Sequence, residues 1–168
     1  MPTQAHKPNQ VWTWDFIFDR TDKGSTLKMR TMLDEYSRRC LAIRVERQIQ
    51  SEHVLFTLWQ AMTTYGIPRY IRSDNGSEFI AQKIQTWLRE NQIKTRYIDP
   101  GSPWQNGYIE SFHSRFRDEC LNREWLLNLR EARVVIEDWR QHYNEERPHS
   151  RLGYLRPEDF LANQKVSP

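Results

Sequence analysis

Between Val11 and Val45 the chain carries three segments of strand character, separated by nothing longer than a turn. "VWTWDFIFD" (11–19) is rich in aromatic and β-branched residues and alternates in part. "RTDKGS" turns the chain, and "TLKMRTMLD" (26–34) then sets Leu27, Met29, Thr31 and Leu33 at every second position. "EYSRR" turns it again before "CLAIRV" (40–45). Connections this short join strands only antiparallel, because a parallel pair needs a crossover of about a dozen residues or more. An antiparallel meander is the expectation.

Helical and strand signals alternate from there. "SEHVLFTLWQAMTTYG" (51–66) has Val54, Leu55, Leu58 and Met62 at helical spacing, with Gly66 as the stop. "RYIRS" (69–73) is a short strand, and "DNG" follows as a turn. "EFIAQKIQTWLREN" (78–91) places Phe79, Ile80, Ile84, Trp87 and Leu88 on a helical stripe, and "KTRYID" (94–99) is one more strand. "SPWQNGYIESFHSRF" (102–116) opens on Ser102 as a cap, Pro103 in the first turn and Gln105 completing a capping box. Ile109, Phe112 and Phe116 then share one face. A further helix fits "LREARVVIEDWRQHYNEE" (129–146).

Because strands four and five are reached through helices, they run parallel to the first. The expected class is α/β, with a five-stranded mixed sheet, three antiparallel strands then two parallel, flanked by helices. A disordered leader is expected over 1–10, a core over 11–128, and a C-terminal helix and tail over 129–168 packed on it. A net charge of +3 permits a nucleic-acid partner without demanding one. No run of about 18 apolar residues is present, so no membrane span is expected. Cys40 and Cys120 lie far apart, without zinc-like spacing, and read as two buried free thiols in a reducing, cytoplasmic setting.

With 22 acidic residues in the chain, only placement can single any out. Asp15 lies mid-strand on the face opposite Trp14 and Phe16, where a charge is costly unless paired or ligating. Asp74 follows the strand 69–73, and ligands collect outside the carboxyl ends of strands in open α/β sheets. Taken locally, a turn aspartate ahead of Asn75 and Gly76 is the simpler account. Glu110 stands in the first turns of its helix, offset from the apolar stripe, and alone suits a charge near a helix N-terminus. Asp19 and Asp34 border turns and Glu78 opens a helix, so these three read as structural. Two strand acids and one helix acid together offer the oxygen ligands that a pair of Mg²⁺ ions takes. Two such ions about 3.5–4 Å apart activate the attacking oxygen and stabilise the leaving one in phosphoryl transfer.

These residues resemble the catalytic core of DDE transposases and retroviral integrases, which has a ribonuclease-H-like fold. The matching elements are "WTWD" at Asp15, "RSDNGSEF" at Asp74 and "PWQNGYIES" at Glu110. Thirty-five residues separate Asp74 from Glu110, and a basic residue, Arg117, stands seven after the glutamate. The stretch "YNEERPHSRLGYLRPEDF" (143–160) is similar to integrase-like transposases of bacterial insertion sequences. The resemblance covers roughly residues 10 to 160.

The resemblance implies metal-dependent DNA cleavage and strand transfer, with two Mg²⁺ or Mn²⁺ ions. Asp15 would bridge both ions, Asp74 would hold one and Glu110 the other. Asn75 and Gly76 would shape the turn that aims Asp74, while Asn106 and Arg117 would contact donor DNA near the scissile phosphate. It implies element ends and target DNA as partners, self-association, and a helix-turn-helix in a separate or missing region. Trp104 suits either a base-stacking platform or an anchor for the helix start. Arg115 and Arg123 are further phosphate candidates, and His113, one turn past Glu110, is a candidate to support the site or touch DNA. Two positions depart from the pattern: Ile17, where many relatives carry Thr, and Ser114, where retroviral relatives carry Lys. A hydrolysis-only nuclease of the same fold, or a non-enzymatic DNA-binding or assembly module, is the alternative.

Overall fold

The computed structural model describes residues 5–73, 82–97 and 107–146. Its elements are β1 (Val11–Arg20), β2 (Thr26–Asp34), β3 (Cys40–Glu46), α1 (Ser51–Tyr65), β4 (Tyr70–Ser73), α2 (Gln82–Glu90), β5 (Lys94–Tyr97), α3 (Gly107–Phe116) and α4 (Leu129–Glu146), with a π-helical turn at Arg117–Leu121. The five strands form one sheet in the order β3-β2-β1-β4-β5. β1 and β3 each pair antiparallel with β2, whereas β4 runs parallel to both β1 and β5. The expected mixed sheet is the observed one. Residues 78–81, 98–99 and 102–106, assigned to element ends from sequence, lie outside the described residues.

β1 sits in the middle, so both of its faces are covered, and the period of two along a strand sorts its side chains between two cores. Trp12 and Trp14 join Met32 and Ile71 under α1 and α2, against Val54, Leu58, Ile84 and Leu88. Ile17 joins Leu27, Met29 and Leu33 on the other face, beneath Ile109, Phe112 and Phe116 of α3 and Ile136, Trp139 and Tyr143 of α4. Arg30 on β2 is wholly buried in the first core, its guanidinium 4.6 Å from the Trp14 ring centre and 4.3 Å from that of Phe16. Aromatic faces attract a cation at such distances.

Residues 5–10 correct the expectation of a disordered leader. They form a turn centred on Asn9, which adopts a left-handed φ of 63°. Asn9 N donates to Asp34 Oδ1 at 3.2 Å, and its Nδ2 donates to the Tyr65 carbonyl at 2.7 Å. Its Oδ1 accepts from Trp12 Nε1 at 2.9 Å. One residue thereby joins β1, the end of β2 and the end of α1 through its backbone N–H and its side-chain amide. Asp34 has the structural role expected of it, its Oδ2 accepting from both N and Oγ of Ser37 at 3.1 and 2.7 Å.

α4 closes the open edge of β3. Asn144 Oδ1 accepts from Cys40 N at 2.8 Å, and Asn144 Nδ2 donates to Cys40 O at 2.9 Å. Arg140 Nη1 donates to the same carbonyl at 2.8 Å, and Arg133 Nε to the Val45 carbonyl at 3.1 Å. Tyr143 Oη reaches the Arg38 carbonyl at 3.0 Å. Side chains thus satisfy edge groups that would otherwise invite a further strand. Cys40 and Cys120 are buried and unbridged, and burial pushes both thiols up to about 12. No helix among the described residues is long and apolar enough to cross a membrane.

Candidate active site

Asp15 lies on the β1 face that α3 covers, half-buried, in register with Thr31 of β2. Its Oδ1 accepts from the backbone N of Phe16 at 2.8 Å, which limits its freedom to turn. α3 is held over this face by its apolar stripe. Ile109, Phe112 and Phe116 are all buried, and Phe112 meets Tyr143 edge-on with ring centres 5.1 Å apart. Phe116 lies 4.9 Å from Trp139. Burying the stripe leaves Glu110, offset from it, exposed to solvent.

One turn beyond Glu110, His113 reaches across to the sheet. Its Nε2 is 2.6 Å from Thr31 Oγ1, and Thr31 Oγ1 in turn donates to the Asp15 carbonyl at 3.4 Å. The Thr31 hydroxyl can donate or accept, so this short contact suits either tautomer of the ring. Burial, reinforced by the nearby Arg117 cation, lowers the His113 pKa to about 4. The imidazole is therefore neutral at pH 7.

Arg117 is the first residue of the π-helical turn, in which Asn122 N donates to Arg117 O at 2.8 Å. The wider turn buries the neighbours Cys120 and Leu121 together, and the Arg117 guanidinium donates from Nη2 to the Phe18 carbonyl of β1 at 3.0 Å. Arg115 is half-buried on α3. Arg123 is exposed and donates to the Asp118 carbonyl at 3.1 Å.

β4 approaches from the other side of β1. Thr13 is paired with Arg72 in the parallel ladder, and Ser73 is the last described residue of the strand. Asp74, Asn75, Gly76, Trp104 and Asn106 lie outside the described residues. Sequence reasoning missed three features that frame the site: the Thr31 hydroxyl, the buried pairing of Arg72 with Glu35, and the π-helical turn. Thr31 left a faint signal, a hydroxyl in a row otherwise made of Leu27, Met29 and Leu33.

Among the described residues no three His, Cys, Asp or Glu side chains gather closely enough to hold a metal. Asp15 and Glu110 supply two oxygen donors with access to solvent. That donor chemistry suits a hard cation such as Mg²⁺ or Mn²⁺, and not a thiolate- or imidazole-seeking one.

A family model described as Integrase core domain matches residues 5–103, and a second with the same description matches residues 91–157. An uncharacterized 39.2 kDa protein of insertion element IS476 from Xanthomonas euvesicatoria is 43% identical over 159 residues, covering 95% of this chain and 46% of that protein. The transposase for insertion sequence element IS904 from Lactococcus lactis is 29% identical over 160 residues, covering 94% of this chain and 63% of the transposase. The chain thus spans about half the length of these relatives. The HTLV-2 integrase catalytic core domain in complex with magnesium, in its dimeric form, superposes with a TM-score of 0.64 at 20% identity, over 96% of this chain and 97% of that one. The fold is the ribonuclease-H-like fold of retroviral integrase cores.

Proposed function

The chain belongs to the integrase core-domain family, and on that footing we propose that it is the catalytic core of a bacterial insertion-sequence transposase. Its reaction is cleavage at the element's ends followed by strand transfer. Water first hydrolyses a phosphodiester, and the freed DNA 3′-hydroxyl then attacks a target phosphodiester, exchanging one P–O bond for another. The observation that carries this reading is the fastening of the Glu110 helix to the Asp15 strand through His113 and Thr31. The sequence supports it further, since Asp74 directly follows β4, the strand that pairs parallel with β1.

Asp15, Asp74 and Glu110 would hold two Mg²⁺ or Mn²⁺ ions. Such ions, when bound, activate the attacking oxygen and stabilise the leaving one in an in-line displacement. The protein's own part is placement. Phe16 N orients the Asp15 carboxylate, and the apolar stripe of α3 orients Glu110. Arg117 gives one of its N–H donors to Phe18 O, which steadies a guanidinium with others to offer a phosphate. Arg115 and Arg123 extend that cationic surface, and Asn106 contacts DNA at the start of the Glu110 helix. Trp104 stacks on an unpaired base, a contact worth about 1–3 kcal/mol. Asn75 and Gly76, as the resemblance implies, would shape the turn that presents Asp74.

The substrate is DNA, both element ends and target, in the bacterial cytoplasm. The active form is a homo-oligomer, and end recognition belongs to a helix-turn-helix region outside this chain. The test is Mn²⁺-dependent joining of terminal-repeat oligonucleotides by the wild type and by Glu110→Gln. Loss of joining by about 100-fold or more is expected, within the range that removal of a key electrostatic group produces. Undiminished joining in the variant would sink the assignment, and nicking without any joined product would turn the reading to a hydrolytic nuclease.

A further inference from the structure

We propose that His113 and Thr31 act as a positioning pair, a hydrogen-bonded strut that sets how far Glu110 stands from Asp15. The proposal rests on the reading that those two carboxylates share a site. Apolar packing under α3 is non-directional, so Ile109, Phe112 and Phe116 can hold the helix down while leaving it some freedom to slide. A 2.6 Å hydrogen bond from α3 to β2 removes that freedom at one point. The point is well chosen: Thr31 is fully buried, is the register partner of Asp15, and passes its own hydrogen to the Asp15 carbonyl.

His113 follows Glu110 by three residues, and side chains at that spacing are neighbours on a helix surface. A shift of the strut therefore moves Glu110 directly. Because Nε2 is engaged by Thr31, we assign His113 a positioning role in place of a contact to DNA.

The experiment uses the full chain with Mn²⁺ as the probe. Mn²⁺ affinity is measured by calorimetry, alongside kcat and the KM for DNA in the joining assay. Thr31→Val keeps the shape of the side chain and removes the hydroxyl, and His113→Phe removes the imidazole partner. Each is expected to weaken Mn²⁺ binding by about 10- to 100-fold, the usual effect of losing a group that orients a metal ligand. kcat should fall while KM for DNA stays unchanged. Thr31→Ser, which restores the hydroxyl, should recover the affinity, and it also serves if the valine variant folds poorly.

Wild-type Mn²⁺ affinity in Thr31→Val, with weakened affinity in Glu110→Gln, overturns the strut alone. A raised KM with unchanged Mn²⁺ affinity in His113→Phe overturns it in favour of a DNA contact. Wild-type affinity in Glu110→Gln overturns the underlying reading as well.

Discussion

Arg72 of β4 and Glu35, just past the end of β2, form a buried ion pair, Nε to Oε1 at 2.7 Å. It lies beside Thr13, two residues before Asp15 on the same strand. Burial pushes the Glu35 carboxyl above its ordinary range, against the pull of Arg72. Removing one partner strands the other charge in a low-dielectric site. Arg72→Met and Glu35→Leu should each destabilise the fold by about 3–5 kcal/mol. Arg72→Met combined with Glu35→Leu should recover most of that loss. Urea unfolding of the four proteins checks this, and simple additivity of the two single losses would disprove a direct pairing.

His113 gives the fold a pH dependence of known sign. Its folded pKa of about 4 lies below the ordinary 6.5, so the unfolded chain binds the proton more readily. The stabilising contribution is present above about pH 6.5 and disappears as pH falls through 4. Unfolding free energy should drop by an amount on the order of 2 kcal/mol between pH 7 and pH 4. Glu35 titrates with the opposite sign, since its raised carboxyl loses stability as pH climbs. The comparison that isolates His113 is therefore His113→Asn, in which the acid-side loss should shrink by that amount. An identical pH profile in wild type and variant would contradict the burial of the imidazole.

The Asn144 side chain serves both backbone groups of Cys40. Asn144→Ala should lower stability by about 2–3 kcal/mol, because a buried N–H loses its partner while the carbonyl keeps Arg140. Amide exchange at Cys40 should accelerate well before that of the central strand β1. Protection at Cys40 equal to the wild type would show that Asn144 is not what closes the edge.

Gly66 ends α1 at φ 105°, and a Cβ placed there would come within 2.7 Å of Asn9 Nδ2. Gly66→Ala should therefore cost about 1–2 kcal/mol through strain and displacement of the amide. The two effects are coupled: in an Asn9→Ala background, part of the alanine penalty at 66 should vanish. Thermal unfolding of the double-mutant cycle measures the coupling, and a value of zero would remove the steric part of the account.

The sheet was legible because turn length decides strand direction, and the short links "RTDKGS" and "EYSRR" left the meander no alternative. Alternation along β1 also placed Asp15 opposite Trp14 and Phe16, the side on which α3 packs. Asn9 was unreadable, since its three partners, Asp34, Tyr65 and Trp12, come together only in the folded chain. The π-helical turn was hidden too, because a helical stripe reads straight through residues 116 to 121. Arg72 and Glu35 looked like two more of many surface charges, and only the tertiary pairing sets them apart. Asp74 was picked out by its place after a strand and its spacing to Glu110, not by local chemistry.

The covering of β1 and β2 by α3 has a consequence for the growing polypeptide. Ile17, Met29 and Leu33 are translated early, yet the side chains that shield them come from residues 109 to 143. That face is fully sheltered only after the ribosome has passed residue 143, and until then the meander exposes its apolar side. Asp15 and Glu110 stand 95 residues apart, so a fragment that stops short of residue 107 lacks α3, and with it both Glu110 and the side chains that cover this face.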